Sequence, residues 1–92
     1  MASSIGEERR RAPRYRIVEP VQLEDGSVGN TRDMSTCGVF LVTDRPHALG
    51  AMIRFSVVIH ESMVQCRGAV VRAEPQEGQF GIAVELDRYE FT

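Results

Sequence analysis

Lysine is missing from this chain of 92 residues: all eleven basic residues are arginine, set against thirteen acidic ones for a formal charge of −2. That balance argues against a general nucleic-acid binder, which must neutralise many phosphates at once. Cysteine is scarce, with only Cys37 and Cys66. Two thiols are too few for a disulfide framework and lack metal-ligand spacing, so they read as small, partly buried thiols in a reducing compartment. Apolar runs are only a few residues long, which excludes a bilayer-spanning helix. Met1 to Glu8 is polar and acidic, without the apolar segment of a secretory signal, so a cytoplasmic location is the expectation. The six aromatic residues fall mostly at core phase, whereas a platform for single-stranded nucleic acid wants several exposed on one face. No cluster of metal ligands, no nucleophile beside a positioned histidine and no pair of carboxylates in a cleft can be read from the sequence, so an enzyme is not expected and neither is a cofactor or metal. His47 and His60 read as isolated surface residues.

A chain this short builds one domain around one core. Met1 to Arg11 has no periodicity and too few apolar groups to offset its ordering entropy, so residues 1–14 are expected to form a flexible arginine-rich arm ahead of a domain over 15–92. Ile17, Val18, Val21 and Leu23 give a first strand, with Pro20 at an edge or bulge because it cannot donate to a ladder. Asp25-Gly26 marks a turn. A short strand follows over 28–34, and β-branched and aromatic residues over 39–43 give another. Ile53, Phe55, Val57 and Ile59 alternate with Arg54, Ser56 and His60, the cleanest period-two signal in the chain. A long strand around Val64 to Arg72 bends at Gly68, a turn spans Pro75 to Gly78, and Phe80, Ile82, Val84 and Leu86 make the last strand. Six strands with no helix between them predict an all-β, small six-stranded antiparallel (split) barrel. Residues 87–92 have room for no more than a short C-terminal helical turn. Phe40 and Phe55 are expected in the core, and Tyr15 is expected to pack between arm and barrel.

The positive charge is concentrated: Arg9, Arg10, Arg11, Arg14 and Arg16 lie in one short run, and Asp33-Met34-Ser35-Thr36-Cys37-Gly38 follows about twenty residues later. Arginine offers a planar fork that grips phosphate or guanine bidentately and stacks on rings. A carboxylate, a hydroxyl and a glycine in one turn supply acceptors and a tight backbone. Together these are the parts for a small anionic ligand that also presents base edges. Asp33 and Ser35 can equally serve their own turn by bonding its backbone.

Arginines four apart, Arg10 and Arg14, followed by Asp-x-Ser-x-x-Gly at Asp33, Ser35 and Gly38, resemble the PilZ domain, a bacterial receptor for cyclic di-GMP. The resemblance covers nearly the whole chain, through Gly38-Val39-Phe40-Leu41-Val42-Thr43, the Arg45-Pro46 to Gly50 loop, and Gly68-Ala69-Val70-Val71-Arg72 with Gly81-Ile82-Ala83-Val84. It implies a second-messenger receptor in which Arg10 and Arg14 meet phosphate and guanine, Asp33 and Ser35 meet a base edge, and Gly38 allows a tight turn against the ligand. It also implies that Arg9, as a basic residue ahead of the pair, favours two intercalated ligand molecules. Guanine suits such a site, since its N7 and O6 edge accepts from arginine while its donors want a carboxylate. The expected mechanism is an arm that orders over the barrel on ligand binding and signals to a protein partner. The alternatives are a PilZ-like interaction module independent of nucleotide, and a small barrel that binds single-stranded nucleic acid.

Overall fold

The fold is set by short β-branched segments too brief to bury their apolar faces singly. The computed structural model describes residues 14–91, so Arg9, Arg10 and the rest of the expected arm up to Pro13 lie outside the described residues. Six strands follow in order: β1 Pro20–Leu23, β2 Val28–Met34, β3 Gly38–Thr43, β4 Met52–Ile59, β5 Ser62–Gln76 and β6 Gln79–Phe91. All pairings are antiparallel, and they close a barrel in the order β1-β2-β3-β6-β5-β4. The expected all-β six-stranded barrel is the one observed.

Alternation decides the interior. Val39 and Leu41 of β3 stand opposite Val84 and Ile82 of β6, and all four are buried in the core with Val21, Leu23, Phe55, Val57, Val64 and Val70. Removing such side chains from water stabilises a barrel by about 1.5–3 kcal/mol each. Pro20 opens β1, where its missing N–H costs least. The segment before it is tied to β2 by Thr31, whose hydroxyl donates to the Ile17 carbonyl and accepts from the Glu19 N–H at 2.9 Å. Tyr15 then forms an isolated bridge with Met34.

Two expectations fail at the β5–β6 hairpin. Pro75 lies in β5 opposite Phe80, so the turn is only Glu77-Gly78, with both residues at positive φ. Residues 87–91 are not a helical turn: they continue β6 against β5 as far as Phe91 opposite Val64. The hairpin is long enough to supply Gln65, Cys66 and Arg67 as ladder partners, and that outweighs the weak local preference. Gly68 does mark an irregularity: Arg67 pairs with Arg88 and Gly68 with Leu86, so Asp87 is the extra residue of a bulge on β6. A Cβ at Gly68 would lie 2.3 Å from the Glu85 carbonyl oxygen.

Candidate functional site

The outer face around the β2–β3 turn is shaped by a bulge. Thr31 pairs with Leu41 and Asp33 with Phe40, which leaves Arg32 as the extra residue on β2. A bulge re-aims its side chain, and here the Arg32 guanidinium lies 3.8 Å from the centroid of the Phe40 ring. Phe40 is buried, as expected, but outside the cluster that fills the barrel. Its neighbours Val39 and Leu41 point inward, whereas Phe40 is buried on the outside, beneath Arg32 and with Arg72 at 6.0 Å. Gly81 makes room for the ring, because a Cβ there would come within 2.7 Å of Phe40 Cζ.

Beside this ring Asp33 gathers positive charge. Arg14 Nη2 donates to Asp33 Oδ1 at 2.8 Å, and Arg32 Nε lies 3.6 Å from Oδ2, so each carboxylate oxygen faces a guanidinium. Arg14 is held there by its neighbour: Tyr15 exchanges backbone bonds with Met34 at 2.8 and 2.9 Å. The described end of the N-terminal segment thus lands on the turn that carries Asp33. The Tyr15 side chain is exposed, not packed.

Ser35 serves the turn. Its N–H donates to the Gly38 carbonyl at 2.8 Å, and its hydroxyl accepts from the N–H groups of Cys37 and Gly38, each at 3.2 Å. Gly38 has no positive φ, so the left-handed freedom of glycine is not what this position uses. A Cβ there would stand 3.1 Å from the Val84 carbonyl, a close approach of β3 to β6. Cys37 is exposed and Cys66 buried, so the two thiols are not alike.

A family model for the PilZ domain matches residues 8–91. The chain belongs to the PilZ domain family. In structure it is similar to the Bacillus subtilis inhibitor of motility (MotI/DgrA), with a TM-score of 0.71 and 19% identity over 87% of this chain. The match spans 43% of that longer protein. No curated protein matches the sequence. PilZ domains are binding and effector modules, and no helix among the described residues is long and apolar enough to cross a membrane.

The position of Asp33, Ser35 and Gly38 on one turn was legible in the sequence, but Arg32, Phe40 and Arg72 were missed. Arg32 reads as an ordinary strand residue until the bulge is known, and Arg72 reaches the same face only because β5 lies beyond β6. Phe55 is in the core as expected, whereas Tyr15, Tyr89 and Phe91 are exposed and depart from the expectation that the aromatics fall mostly at core phase.

His47 of the PilZ barrel is not a surface residue. Its side chain is 6% exposed, and Nε2 lies 3.2 Å from Asp25 Oδ2 and 3.5 Å from Ser27 Oγ. A serine, a histidine and a carboxylate therefore do meet, contrary to the sequence reading. Their geometry is not that of a nucleophilic triad: Ser27 is fully buried and donates to Asp25 at 2.6 Å, and both groups crowd Nε2 while Nδ1 is buried without a partner among the described residues. The cluster instead pins the β1–β2 turn to the loop after β3. Hydrogen bonds from the Ser27 hydroxyl and N–H hold the Asp25 carboxyl below its ordinary value.

Proposed function

We propose that this PilZ domain is a receptor for cyclic di-GMP, bound on the outer face between the N-terminal arginines and the β2–β3 turn. The observation that carries the reading is the 2.8 Å contact of Arg14 with Asp33, because it joins the two motifs at one place. Arg14 would meet a phosphate or the acceptor edge of a guanine, and the Asp33 carboxylate would accept from the guanine's donors. The two residues satisfy each other within the chain, so the ligand exchanges one ion pair for two sets of contacts.

Arg10 would join Arg14 on the phosphates, and Arg9 would favour a second, intercalated ligand molecule. Arg32, stacked on Phe40, offers a flat cationic surface beside Asp33 on which a guanine can lie. Ser35 and Gly38 shape the turn that presents Asp33 to the base. Ordering the arm costs roughly 1–2 kcal/mol per fixed residue, which the ligand's contacts offset. The ordered arm and the surface it covers become the signal read by a protein partner.

Titration calorimetry with cyclic di-GMP tests this. The intact chain should bind, Arg14→Ala and Asp33→Ala should each lose at least about tenfold in affinity, and Arg54→Ala, on a distant strand, should bind as the parent does. Unchanged affinity in both site variants refutes the assignment. A stoichiometry of two ligands per chain that falls to one in Arg9→Ala would establish the intercalated pair.

A further inference from the structure

We propose that residues 88–90 of β6 pair with the same residues of a second copy, joining two barrels into one antiparallel sheet across a two-fold axis at Tyr89. Pairing of β3 with β6 stops at Glu85, and the Leu86 N–H donating to the Cys37 carbonyl at 3.0 Å is the last backbone bond on that side among the described residues. From there β5 is the only strand among the described residues that holds β6, which leaves one edge of residues 87–91 open among them. An open strand edge is a template for another strand, and natural proteins usually blunt it with charge or proline. This edge carries charge at Asp87, Arg88 and Glu90, but of both signs, and between them Tyr89 and Phe91 are exposed and form an edge-to-face pair at 6.4 Å.

The charges choose the partner and the register. Tyr89 and Phe91 stand opposite the buried Cys66 and Val64, so they lie on the inner face of the sheet, and Arg88 and Glu90 lie on the outer face. Directly opposed residues of an antiparallel pair share a face, so a two-fold axis must fall on a residue. At Arg88 it would oppose two guanidiniums, and at Glu90 two carboxylates. At Tyr89 it sets Arg88 against Glu90 twice, and like charges directly opposed are unfavourable while unlike charges stabilise. A single strand that is self-complementary about its own centre is what a closed two-fold interface requires.

The remaining arginines point the same way. Arg54 faces Arg67, and Arg67 faces Arg88, a row of three like charges across β4, β5 and β6. Arg67 is offset by Asp87 through two bonds of 3.1 Å, and Arg54 by Glu24 at 4.0 Å. Arg88 has no ion pair with another described residue, and Glu90 of the second copy supplies one.

Analytical ultracentrifugation across a range of protein concentrations is the test. The intact chain should dimerise reversibly. Arg88→Glu and Glu90→Arg should each weaken self-association at least about tenfold, since two attractive pairs become repulsive. Mixed together, the two variants should form a heterodimer, because each restores the other's complement. Urea melts of the variants confirm that both are folded. A monomer at every concentration, variants that dimerise like the parent, or a mixture that stays monomeric would overturn the proposal. So would a chain lacking residues 1–13 that dimerises while the intact chain does not, which would assign the edge to the N-terminal segment.

Discussion

Replacing Phe40 with alanine isolates the contribution of a residue that is buried on the outside of the barrel. The ring is 2% exposed, with Arg32 stacked above it and Gly81 beneath. Truncating a buried phenylalanine costs about 3–5 kcal/mol in a closed core, where the cavity persists. On this face the cost should fall near the lower end, because Arg32, Arg72 and Gln76 can relax into the space and water can enter it. The lost cation–π contact contributes about 0.5–1 kcal/mol of the total, as Arg32 is itself half exposed. A loss of about 3 kcal/mol is therefore expected, against about 5–14 kcal/mol for a domain of this length. The variant should remain folded at room temperature with a lower urea midpoint and an unchanged slope, and Phe40→Leu should recover most of the difference. A loss below about 1 kcal/mol would mean that the ring is not buried as described. A loss equal to that of a core truncation such as Leu41→Ala, with Phe40→Leu no better than alanine, would mean that Arg32 and its neighbours do not relax into the space.

Two further predictions rest on titratable groups. Asp25 has a folded pKa lowered from 3.8, chiefly by the Ser27 hydrogen bonds, so its stabilising effect is fully present above the unfolded value and is lost as pH falls through the folded one. The stability difference between the parent and Asp25→Ala should be constant near neutral pH and shrink on acidification below the unfolded value; a difference that grows in acid would contradict the linkage. Burial raises the Cys66 thiol from 9.0 to about 11, while Cys37 is exposed. A thiol reagent at mildly alkaline pH should therefore label Cys37 in the native protein and both cysteines in urea, checked by mass spectrometry. Because the unfolded thiol ionises first, Cys66 should also make the fold less stable as pH rises above 9.0, an effect absent in Cys66→Ala.

The strand count, the barrel and the turn from Asp33 to Gly38 were determined by the sequence alone, because period-two alternation and turn residues are local signals that tertiary packing reinforced. The motif residues were legible for the same reason: their spacing along the chain is the information. Tertiary structure decided the rest. A bulge cannot be read from alternation, since it breaks the alternation at one residue, and so the turning of Arg32 onto Phe40 was hidden. Phe40 itself could not be placed, because an aromatic on a strand is buried on whichever face its neighbours cover, and Arg32, Arg72 and the space above Gly81 come from three other strands. His47 changed from surface loop to buried anchor because its partners, Asp25 and Ser27, are about twenty residues away in sequence. Residues 87–91 became strand because β5 reaches far enough to pair with them, a long-range ladder that outweighs the weak local preference of a short segment.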